Sequence, residues 1–480
     1  MSIRSTRIVA TLGPATDPPA ILRAILETGV DVARINFSHG TADEHIDRVA
    51  RLRGAARELN RSIAILGDLP GPKLRVLLSA KRELVIGSEI AFSLRDRPIQ
   101  VDDLTITEPE ILRDVQPGQR ILLDDGRLQL DAERIEGERL LARVRVGGTL
   151  SPNKGVNLPD TPLTIAALTE RDRLVIAIAA RVQVDWLALS FVRSASAAAE
   201  LRAEIRKHSL DVPILAKMER PEAVEHAEEI IAAFDGIMVA RGDLGVEIPL
   251  ERVPTVQKKL IAQARQAGKP VITATDMLDS MRQNPRPTRA EAGDVANAIY
   301  DGTDAVMLSG ETAIGAYPVE AVACMNRIAV EAEAHLHDAE HLENFTRLHD
   351  CSVDDHITHA VVELAGKIEA DAIITPTISG RTARMIARHR PTMAVIAPVP
   401  SLAIARQMAL VWGVRPVLMH NDHHDGVDRL SAALKAAFAA GEVKPGQCVI
   451  ELAGHPIEGG ARLPTIRFAR VGEEGEPVEM

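Results

Sequence analysis

Short apolar runs rich in Val, Ile, Leu and Ala alternate with longer amphipathic segments over the first two thirds of the chain. Apolar runs of this length predict strands of a parallel sheet, because strands covered on both faces carry few polar residues. The amphipathic segments, such as residues 221–233 and 251–267, predict helices. Eight strands are predicted in this way, at residues 7–12, 30–37, 63–69, 184–191, 212–217, 236–240, 270–275 and 305–308.

Eight successive strand and helix units predict an α/β fold built on a closed (β/α)8 TIM barrel. One connection breaks the rhythm, because more than a hundred residues separate the third strand from the fourth. Its residues 71–155 contain short strand-like runs divided by turn sequences such as Asp124-Asp125-Gly126 and Gly147-Gly148. This pattern predicts a β-rich domain inserted after the third strand, placed as a lid over the barrel mouth.

A second alternation of apolar runs follows a charged helical stretch around residues 317–345. It predicts strands at residues 372–377, 393–399, 414–419 and 448–452, separated by helical segments. The smaller number of strands favours an open-sheet α/β domain in the C-terminal part of the chain. The tail GEEGEPVEM is predicted to be frayed.

Composition and charge exclude several classes of function. Of the 480 residues, 46% are hydrophobic and 26% charged, and the net charge is −11. An acidic surface is repelled by phosphate backbones and anionic lipids, so we expect neither a nucleic-acid partner nor a membrane partner. Three separated cysteines, Cys324, Cys351 and Cys448, suggest neither a disulfide framework nor a zinc site. With no signal peptide and no membrane-spanning run, a cytoplasmic location is predicted.

Polar residues gather at the predicted C-terminal ends of the barrel strands, where closed parallel barrels present their catalytic groups. Period-two alternation at the end of the second strand puts Arg34, Asn36 and Ser38 on one side. An inward-facing arginine with two polar neighbours suits an oxyanion such as phosphate. The alternative is structural, with Ser38 as a helix cap and Arg34 paired to a buried acid.

The fifth and sixth strands end in further charged residues. Glu219 and Asp243 offer the hard oxygen ligands that Mg²⁺ takes when it shares its shell with water and substrate. Lys217 precedes Glu219 by two positions on the same strand face, so its charge could stabilise a transferring phosphoryl group or an enolate oxygen. Gly242 would let a ligand carboxylate approach backbone N–H groups. A structural ion-pair network is the competing interpretation.

Hydroxyls and a carboxylate follow the seventh and eighth strands. Thr275, Ser309 and Glu311 could order a water that protonates a carbon atom. Read singly, such residues are more often helix caps. Taken with the phosphate and metal candidates, they indicate phosphoryl transfer.

Long motifs resemble those of pyruvate kinases in order and spacing over nearly the whole chain. They are NFSHG at 36–40, KGVNLP at 154–159, DGIMVARGDLGVEIP at 235–249, NPRPTRAE at 284–291, DVANAIYDG at 294–302 and MLSGET at 307–312. The resemblance implies a barrel at residues 1–70 and 156–345, a lid domain at 71–155 and a C-terminal α/β domain at 346–480 that is a candidate regulatory domain. It also implies a homotetramer.

The resemblance implies an activity: transfer of the phosphoryl group of phosphoenolpyruvate to ADP, giving ATP and pyruvate in the last step of glycolysis. Arg34 and Lys217 would hold the phosphate, with Lys217 stabilising the transition state. Mg²⁺, or Mn²⁺ in its place, would bind Glu219 and Asp243, and a second Mg²⁺ would arrive with the nucleotide. The carboxylate of phosphoenolpyruvate would lie on Gly242, Asp243 and Thr275. The enolate would be protonated through Thr275, Ser309 and Glu311. The nucleotide would face a larger set of residues: Asn36, Phe37, Ser38, His39, Arg75 and Lys154.

The chain departs from many pyruvate kinases at the site where they bind K⁺. Leu69 stands where those relatives have a threonine, and Lys73 stands where they have a glutamate. The ammonium group of Lys73 can supply the positive charge that K⁺ would bring, so we predict activity without added K⁺. Asn36, Ser38 and Asp68 are retained, which leaves a residual ion site open. Asp276 also departs, since many relatives have a glutamine there.

The loop Thr377-Ile378-Ser379-Gly380-Arg381-Thr382 lies between a predicted strand and a predicted helix. Backbone N–H groups at a helix start can hold a phosphate, and the loop resembles one where some pyruvate kinases bind the phosphate of a sugar effector. Ile378 replaces a basic residue common there, and Gly454-His455-Pro456 is not a close match to the usual effector loop. A phosphorylated allosteric effector and an ordinary helix cap are both open interpretations.

Two other functions compete with this assignment. The first is another metal-dependent barrel enzyme acting on pyruvate or phosphoenolpyruvate, such as an aldolase, since a fold does not fix a function. The inserted domain with Lys154 argues against it. The second is a catalytically silent paralogue that binds metabolites, and the presence of all the expected catalytic side chains argues against that.

Overall fold

The computed structural model describes residues 4–163, 166–336, 352–419, 426–456 and 462–478. No helix in these ranges has both the length and the apolar character needed to cross a membrane. The chain begins with three strands that alternate with helices. They are β1 (Arg7–Thr11), α1 (Pro19–Thr28), β2 (Val32–Asn36), α2 (Ala42–Glu58) and β3 (Ala64–Asp68), with a 3₁₀ turn at Pro14–Thr16.

An antiparallel β domain follows β3. Its strands are β4 (Val76–Leu77), β5 (Arg82–Leu84), β6 (Glu89–Ser93), β7 (Thr105–Ile106), β8 (Arg120–Leu123), β9 (Leu128–Glu136), β10 (Arg139–Val146), β11 (Gly148–Leu150) and β12 (Val156–Asn157), with a 3₁₀ helix at Pro109–Arg113. Five of them form a sheet in the order β12-β8-β9-β10-β6. Asp124, Asp125 and Gly126 all have positive φ in the turn between β8 and β9, as the sequence predicts for a turn. This domain has its own apolar core, centred on residues such as Phe92 and Leu130.

The chain then returns to the strand and helix alternation. The strands are β13 (Trp186–Leu189), β14 (Ile214–Met218), β15 (Gly236–Ala240), β16 (Val271–Ala274) and β17 (Ala305–Leu308). The helices are α3 (Glu170–Arg181), α4 (Ser196–Lys207), α5 (Pro221–Glu225), α6 (Ala227–Ala233), α7 (Arg241–Glu247), α8 (Val253–Gln266), α9 (Arg289–Tyr300), α10 (Gly310–Ala313) and α11 (Pro318–Ala334), with 3₁₀ turns at Leu250–Arg252 and Asp279–Arg282.

Eight parallel strands close into the predicted barrel, in the order β1-β17-β16-β15-β14-β13-β3-β2. Closure is seen at β1, where Val9 pairs with Met307 of β17 on one side and with Val32 of β2 on the other. Each strand lies within two residues of its predicted bounds. The single helix predicted over 221–233 was wrong, because the chain breaks at His226 into α5 and α6.

The C-terminal domain is an open six-stranded sheet. Its elements are α12 (Val353–Lys367), β18 (Ala372–Ile374), α13 (Arg381–Ala387), β19 (Ala394–Val399), α14 (Leu402–Met408), β20 (Val414–Leu418), α15 (Gly426–Ala439), β21 (Cys448–Pro456), β22 (Arg462–Val471) and β23 (Pro477–Val478). The strand order is β20-β19-β18-β21-β22-β23, and the last two strands are antiparallel to their neighbours. The expectation of a frayed tail was wrong for β23, which pairs with β22 through Arg470 and Val478. Residues 337–345 of the predicted helical stretch lie outside the described residues.

The C-terminal domain packs against the barrel at the N-terminal ends of the strands. Arg390 forms an ion pair with Asp304 at 3.1 Å, and its guanidinium lies 4.9 Å from the ring centroid of Trp412. The indole N–H of Trp186, inside the barrel, donates to the carbonyl of Gln407 at 3.1 Å. The rim at the C-terminal ends of the barrel strands is therefore not covered by this domain, and the antiparallel domain lies on that side.

Candidate active site

A buried ion-pair network occupies the C-terminal ends of β2, β3 and β14. Asp68 accepts a hydrogen bond from Arg34 Nε at 2.7 Å, and its other oxygen lies 3.3 Å from Lys217 Nζ. Lys217 Nζ also donates to Ser190 Oγ at 2.8 Å. Burial would raise the pKa of Asp68, but Lys217 and Arg34 outweigh it and hold that pKa below its ordinary value. Asp68 therefore stays ionised and fixes both cations.

Lys217 stays protonated although it is buried. Burial acts to lower its pKa, but the carboxylates of Asp68, Glu219 and Asp243 together raise that pKa above its ordinary value. The side chain is 11% exposed, so its charge acts with little screening by water. A fixed ammonium of this kind suits an anionic group brought to the rim.

Glu219 is the carboxylate at this rim that is most completely removed from solvent, at 0% exposure. One oxygen accepts from the N–H of Phe191 at 2.7 Å, and the other lies 2.8 Å from Lys217 Nζ but makes no well-aligned hydrogen bond. Burial raises the pKa of Glu219 to about 7, with Lys217 opposing and Asp243 adding to the rise. An under-bonded buried carboxylate beside a second one is suited to a divalent cation.

Asp243 supplies that second carboxylate from the first turn of α7, and it is about a third exposed. Within the described residues no group of three or more His, Cys, Asp or Glu side chains forms a metal cage. Two protein carboxylates leave room for water and substrate oxygens, which is the arrangement that Mg²⁺ favours. Glu219 and Asp243 therefore fit the predicted metal site.

The candidate cation site places Lys73 beside Asp243. Lys73 Nζ lies 3.6 Å from Asp243 Oδ1. Leu69 is buried, and its N–H donates to the carbonyl of Ala188. Asn36 Oδ1 accepts from the N–H of Ser38 at 3.1 Å. The ammonium of Lys73 thus pairs with a predicted metal ligand, whereas Asp68 pairs with Arg34 and Lys217.

Thr275 and Gly242 lie together at the ends of β16 and β15. Thr275 has φ of +69° and Asp276 has φ of +54°, conformations that are strained for residues with a Cβ. The N–H of Gly242 donates to Thr275 Oγ1 at 2.6 Å. Arg241 holds the strained turn by donating to the Thr275 carbonyl at 2.7 Å and pairing with Asp294. Burial raises the pKa of Asp276, and Asp279 adds to the rise.

Ser309 and Glu311 follow β17. The Glu311 carboxylate accepts from the N–H of Ser309 at 2.7 Å and from the N–H of Leu278 at 3.1 Å. Burial raises the pKa of Glu311. Ser309 Oγ is buried and has no hydrogen-bond partner among the described residues. A buried hydroxyl without a partner commonly marks a place for water or ligand.

The predicted nucleotide residues lie on two domains. Phe37 is buried edge-on against His45, and Ser38 receives a hydrogen bond on its carbonyl from Arg171. His39 is exposed, and its pKa is lowered by partial burial and by nearby cations, of which Arg75 is foremost. The last two nucleotide candidates are tied to the inserted domain: Arg75 donates to the Asn153 carbonyl, and Lys154 pairs with Asp124 at 2.7 Å.

Sequence reasoning missed several residues that build this site. Ser190 and the N–H of Phe191 hold Lys217 and Glu219, and nothing in their local sequence marks them as polar anchors. A buried ion pair between Arg220 and Glu247, at 2.7 Å, was also missed. Glu247 accepts from Asn157 at 2.7 Å as well, so this pair joins the returning strand of the inserted domain to the rim. The one available signal was position, since Arg220 directly follows Glu219.

The candidate phosphate loop of the C-terminal domain lies at the start of α13. Thr377 is buried, while Ile378 is 57% exposed. Gly380 has φ of +76° at the start of the helix, which has no side-chain cap. Ser379 accepts from Arg384 through its carbonyl, Arg381 pairs with Asp354 at 3.4 Å, and Thr382 follows on the first turn. Residues 454–456 end β21, and residues 457–461 after them lie outside the described residues.

Comparisons with known proteins identify the family. A family model described as pyruvate kinase, barrel domain, matches residues 3–322, and one described as pyruvate kinase, alpha/beta domain, matches residues 355–466. The pyruvate kinase of Geobacillus stearothermophilus is 44% identical over 460 residues, covering 95% of this chain and 78% of the relative. That of Staphylococcus aureus (strain MRSA252) is 41% identical over 476 residues, covering 98% and 81%. The chain, with its closed barrel and its rim of Arg34, Lys217, Glu219 and Asp243, belongs to the pyruvate kinase family.

Proposed function

We propose that this chain transfers the phosphoryl group of phosphoenolpyruvate to ADP, giving pyruvate and ATP. The observation that carries the proposal is the placement of Lys217, whose ammonium is buried between Asp68, Ser190 and Glu219 at the barrel rim. Phosphoryl transfer needs positioning and charge stabilisation more than covalent chemistry by the protein. A buried cation held rigidly by three partners supplies both.

In the proposed complex Arg34 and Lys217 hold the phosphate of phosphoenolpyruvate. Both are anchored by Asp68, so neither has to be reorganised when the ligand binds. The carboxylate of phosphoenolpyruvate lies on Gly242 and Thr275, near Asp243. The short bond from Gly242 N–H to Thr275 Oγ1 brings these two residues together.

Glu219 and Asp243 are proposed to hold Mg²⁺, with Mn²⁺ as an alternative. The negative charge of the phosphoryl group would be offset by the divalent cation bound there. Lys73 is proposed to replace K⁺, since its ammonium lies beside Asp243. The enzyme is therefore expected to work without added K⁺.

Protonation of the pyruvate enolate is assigned to the face of the rim formed by Thr275, Ser309 and Glu311. The support is the buried Ser309 hydroxyl, which has no partner among the described residues, beside a Glu311 carboxylate whose pKa is raised by burial. A water held by these groups could deliver a proton to carbon. Thr275 would orient the substrate on the same side.

The inserted domain, residues 71–155, is proposed to act as a lid on the barrel of residues 1–70 and 156–345. Closing would bring Lys154 and Arg75 toward ADP held by Asn36, Phe37, Ser38 and His39. Water excluded by closure could not take the phosphoryl group, and the charges of the rim would act more strongly. We expect closure to require both substrates.

Assembly, location and regulation are further proposals. A cytoplasmic homotetramer is proposed from the family and from the prevalence of symmetric assemblies. The C-terminal domain, residues 346–480, is proposed to be regulatory, with a phosphorylated effector on the loop of residues 377–382. Burial of Thr377 limits how much of that loop faces a ligand, which leaves the backbone of 379–382 as the contact.

Pyruvate formation from phosphoenolpyruvate tests the proposal against its alternatives. With Mg²⁺ present, the reaction should depend strictly on ADP. Pyruvate release without ADP would favour another barrel enzyme of pyruvate or phosphoenolpyruvate. Binding of phosphoenolpyruvate without turnover, with or without sugar phosphates, would indicate a catalytically silent paralogue.

A further inference from the structure

The buried ion pair of Arg220 and Glu247 connects the two chain segments that carry the proposed metal ligands. Arg220 directly follows Glu219 at the end of β14, and Glu247 lies four positions after Asp243 on α7. Arg220 donates to one oxygen of Glu247 at 2.7 Å. Four positions are about one helical turn, so each member of the pair lies close in the chain to one metal ligand. The pair therefore ties the end of β14 to α7.

The same pair contacts the inserted domain where that domain returns to the barrel. Asn157 is the last residue of β12, which pairs with β8 of the inserted domain. Its side-chain amide donates to the second oxygen of Glu247 at 2.7 Å. Both crossings between the barrel and the inserted domain, residues 72–74 and 156–158, line one small cavity with Arg220 and Glu247. A shift of the inserted domain would therefore act directly on this pair.

Burial gives this cluster one well-defined arrangement. The side chains of Arg220 and Glu247 are 2% and 1% exposed, so water does not compete for their hydrogen bonds. Arg220 also pairs with Glu222 at 3.0 Å and donates to the carbonyl of Thr161 at 3.3 Å. A displacement that breaks one of these bonds leaves a buried polar group without a partner, which is costly. Movement at one end of the cluster is therefore transmitted to the other.

We propose that Arg220, Glu247 and Asn157 are positioning residues that couple the inserted domain to the metal affinity of the rim. The inference rests on the proposed metal site at Glu219 and Asp243. A divalent cation needs its two protein carboxylates at a suitable separation, and the tie between β14 and α7 sets that separation. Residues that support metal ligands change metal affinity by about 10–100-fold when they are altered. We therefore expect the cluster to act on metal binding without contacting the metal.

The coupling is reciprocal, because two linked equilibria shift each other by the same factor. If the hydrogen bond from Asn157 to Glu247 favours metal binding, then bound metal favours that hydrogen bond. Metal binding should therefore hold β12 and the residues after it more firmly against the rim. A cluster with a structural role alone would lower the stability of the fold when it is altered and would leave metal affinity unchanged.

Calorimetric titration of the full chain with Mn²⁺, in the absence of substrates, tests the proposal. Asn157→Leu removes the hydrogen bond on the side of the inserted domain and should weaken Mn²⁺ binding by about fivefold. Arg220→Lys keeps the charge but loses the planar fork of donors, so it should weaken binding by about tenfold. The control is Asn297→Leu on α9, a partly buried asparagine whose side chain accepts from Lys258 at 3.1 Å. It should bind Mn²⁺ as the wild type does.

Hydrogen exchange measures the reciprocal effect on the inserted domain. In the wild type, saturating Mn²⁺ should slow amide exchange in residues 156–161 by a factor of about five, the same factor as in the titration. In Asn157→Leu this slowing should be lost, whereas Asn297→Leu should keep it.

The possible failures can be told apart. Wild-type Mn²⁺ affinity in both Asn157→Leu and Arg220→Lys would overturn the coupling and leave the metal site standing. Equal Mn²⁺ binding by the wild type and Glu219→Gln, or none by the wild type, would overturn the metal site and the coupling with it. Equal slowing of exchange in Asn157→Leu and the wild type would also contradict the coupling. If Arg220→Lys does not fold, Asn157→Leu carries the test, because it removes a single hydrogen bond.

Discussion

Lys73 Nζ lies 3.6 Å from Asp243 Oδ1, so a cation stands beside a proposed metal ligand. From the sequence, Lys73 is predicted to supply the charge of the K⁺ that many pyruvate kinases bind. The structure ties its charge to Asp243, while Asp68 is already satisfied by Arg34 and Lys217. The cation that Lys73 is proposed to replace would thus act on the metal side of the rim.

Activity without K⁺ is the first prediction. In tetramethylammonium buffer the wild-type rate should stay within about twofold of the rate with K⁺, because the ammonium of Lys73 is always present. Lys73→Glu removes that charge and adds a carboxylate near Asp243, so this variant should become dependent on K⁺. Steady-state kinetics at saturating substrates, with and without K⁺, measure both. A wild-type rate that collapses without K⁺ would contradict the account.

Metal affinity should depend on pH through Glu219. Its pKa is raised to about 7, and a carboxylate must be ionised to bind a metal. The dissociation constant for Mn²⁺, measured by titration without substrates, should therefore rise by about tenfold for each pH unit below about 7. It should level off above that pH. Glu219→Gln should bind Mn²⁺ weakly and lose this pH dependence, whereas a flat profile in the wild type would refute the assignment.

Glu219 should also make the stability of the metal-free protein depend on pH. Stability should fall as the pH rises, whereas metal affinity should increase. The pKa of Glu219 lies above its ordinary value of 4.5 in the folded protein. The folded state therefore holds a proton that the unfolded state releases, so metal-free protein should lose stability as the pH rises from about 4.5 to about 7. Thermal melting of wild type and Glu219→Gln, both with chelator, isolates this contribution. An unchanged difference between them across that range would count against it.

The buried pair of Arg220 and Glu247 should be far more important for stability than an exposed pair. Its side chains are 2% and 1% exposed, and Arg220→Leu would leave the buried Glu247 carboxyl group without its cation. We expect a loss of about 3–5 kcal/mol in the free energy of unfolding. The control is Arg23→Leu, whose pair with Glu27 is about half exposed, with an expected loss below about 1 kcal/mol. Urea transitions compare the two, and equal shifts would show that Arg220 is not a special anchor.

A side chain at Gly242 should crowd Thr275 and the proposed carboxylate site. A Cβ built there would lie 3.3 Å from Thr275 Oγ1, in the space proposed for the substrate carboxylate. Gly242→Ala should raise the KM for phosphoenolpyruvate by roughly tenfold, with a smaller effect on kcat, because close packing makes an added methyl costly. Gly293→Ala is the control, since a Cβ there meets nothing within 4 Å and the residue lies on α9. Similar kinetics for the two variants would contradict the proposed carboxylate site.

The sequence predicted the barrel well because its signal is local. Each parallel strand is a short apolar run, and the length of the run and its spacing from the amphipathic segments are enough to find it. The break at His226 was missed because the amphipathic pattern runs through it. Strand β23 was missed because Pro477–Val478 is only two residues long and lies among polar residues. Its pairing with β22 is a contact of the folded chain that the local sequence does not indicate.

Residue type and position at the strand ends were enough to predict which residues form the candidate site. They were not enough to predict the contacts between those residues. Glu219 follows Lys217 by two positions at the end of β14, so their proximity follows from the alternation of side chains in an extended chain. The pairing of Lys217 with Asp68 depends on barrel closure, which brings distant strands together. Ser190, directly after β13, holds Lys217 for the same reason. Such contacts depend on register between strands, which local pattern does not determine.

The most direct test of the central claim is the turnover of Lys217→Met beside that of Lys259→Met. Both variants replace a lysine by an unbranched apolar residue, but Lys217 lies in the rim network and Lys259 is exposed on α8. In a coupled assay with phosphoenolpyruvate, ADP and Mg²⁺, Lys217→Met should lower kcat by at least about 10²–10³-fold, the loss typical of removing one preorganised charge contact. Lys259→Met should match the wild type. A folded Lys217→Met protein that keeps the wild-type kcat would contradict the account.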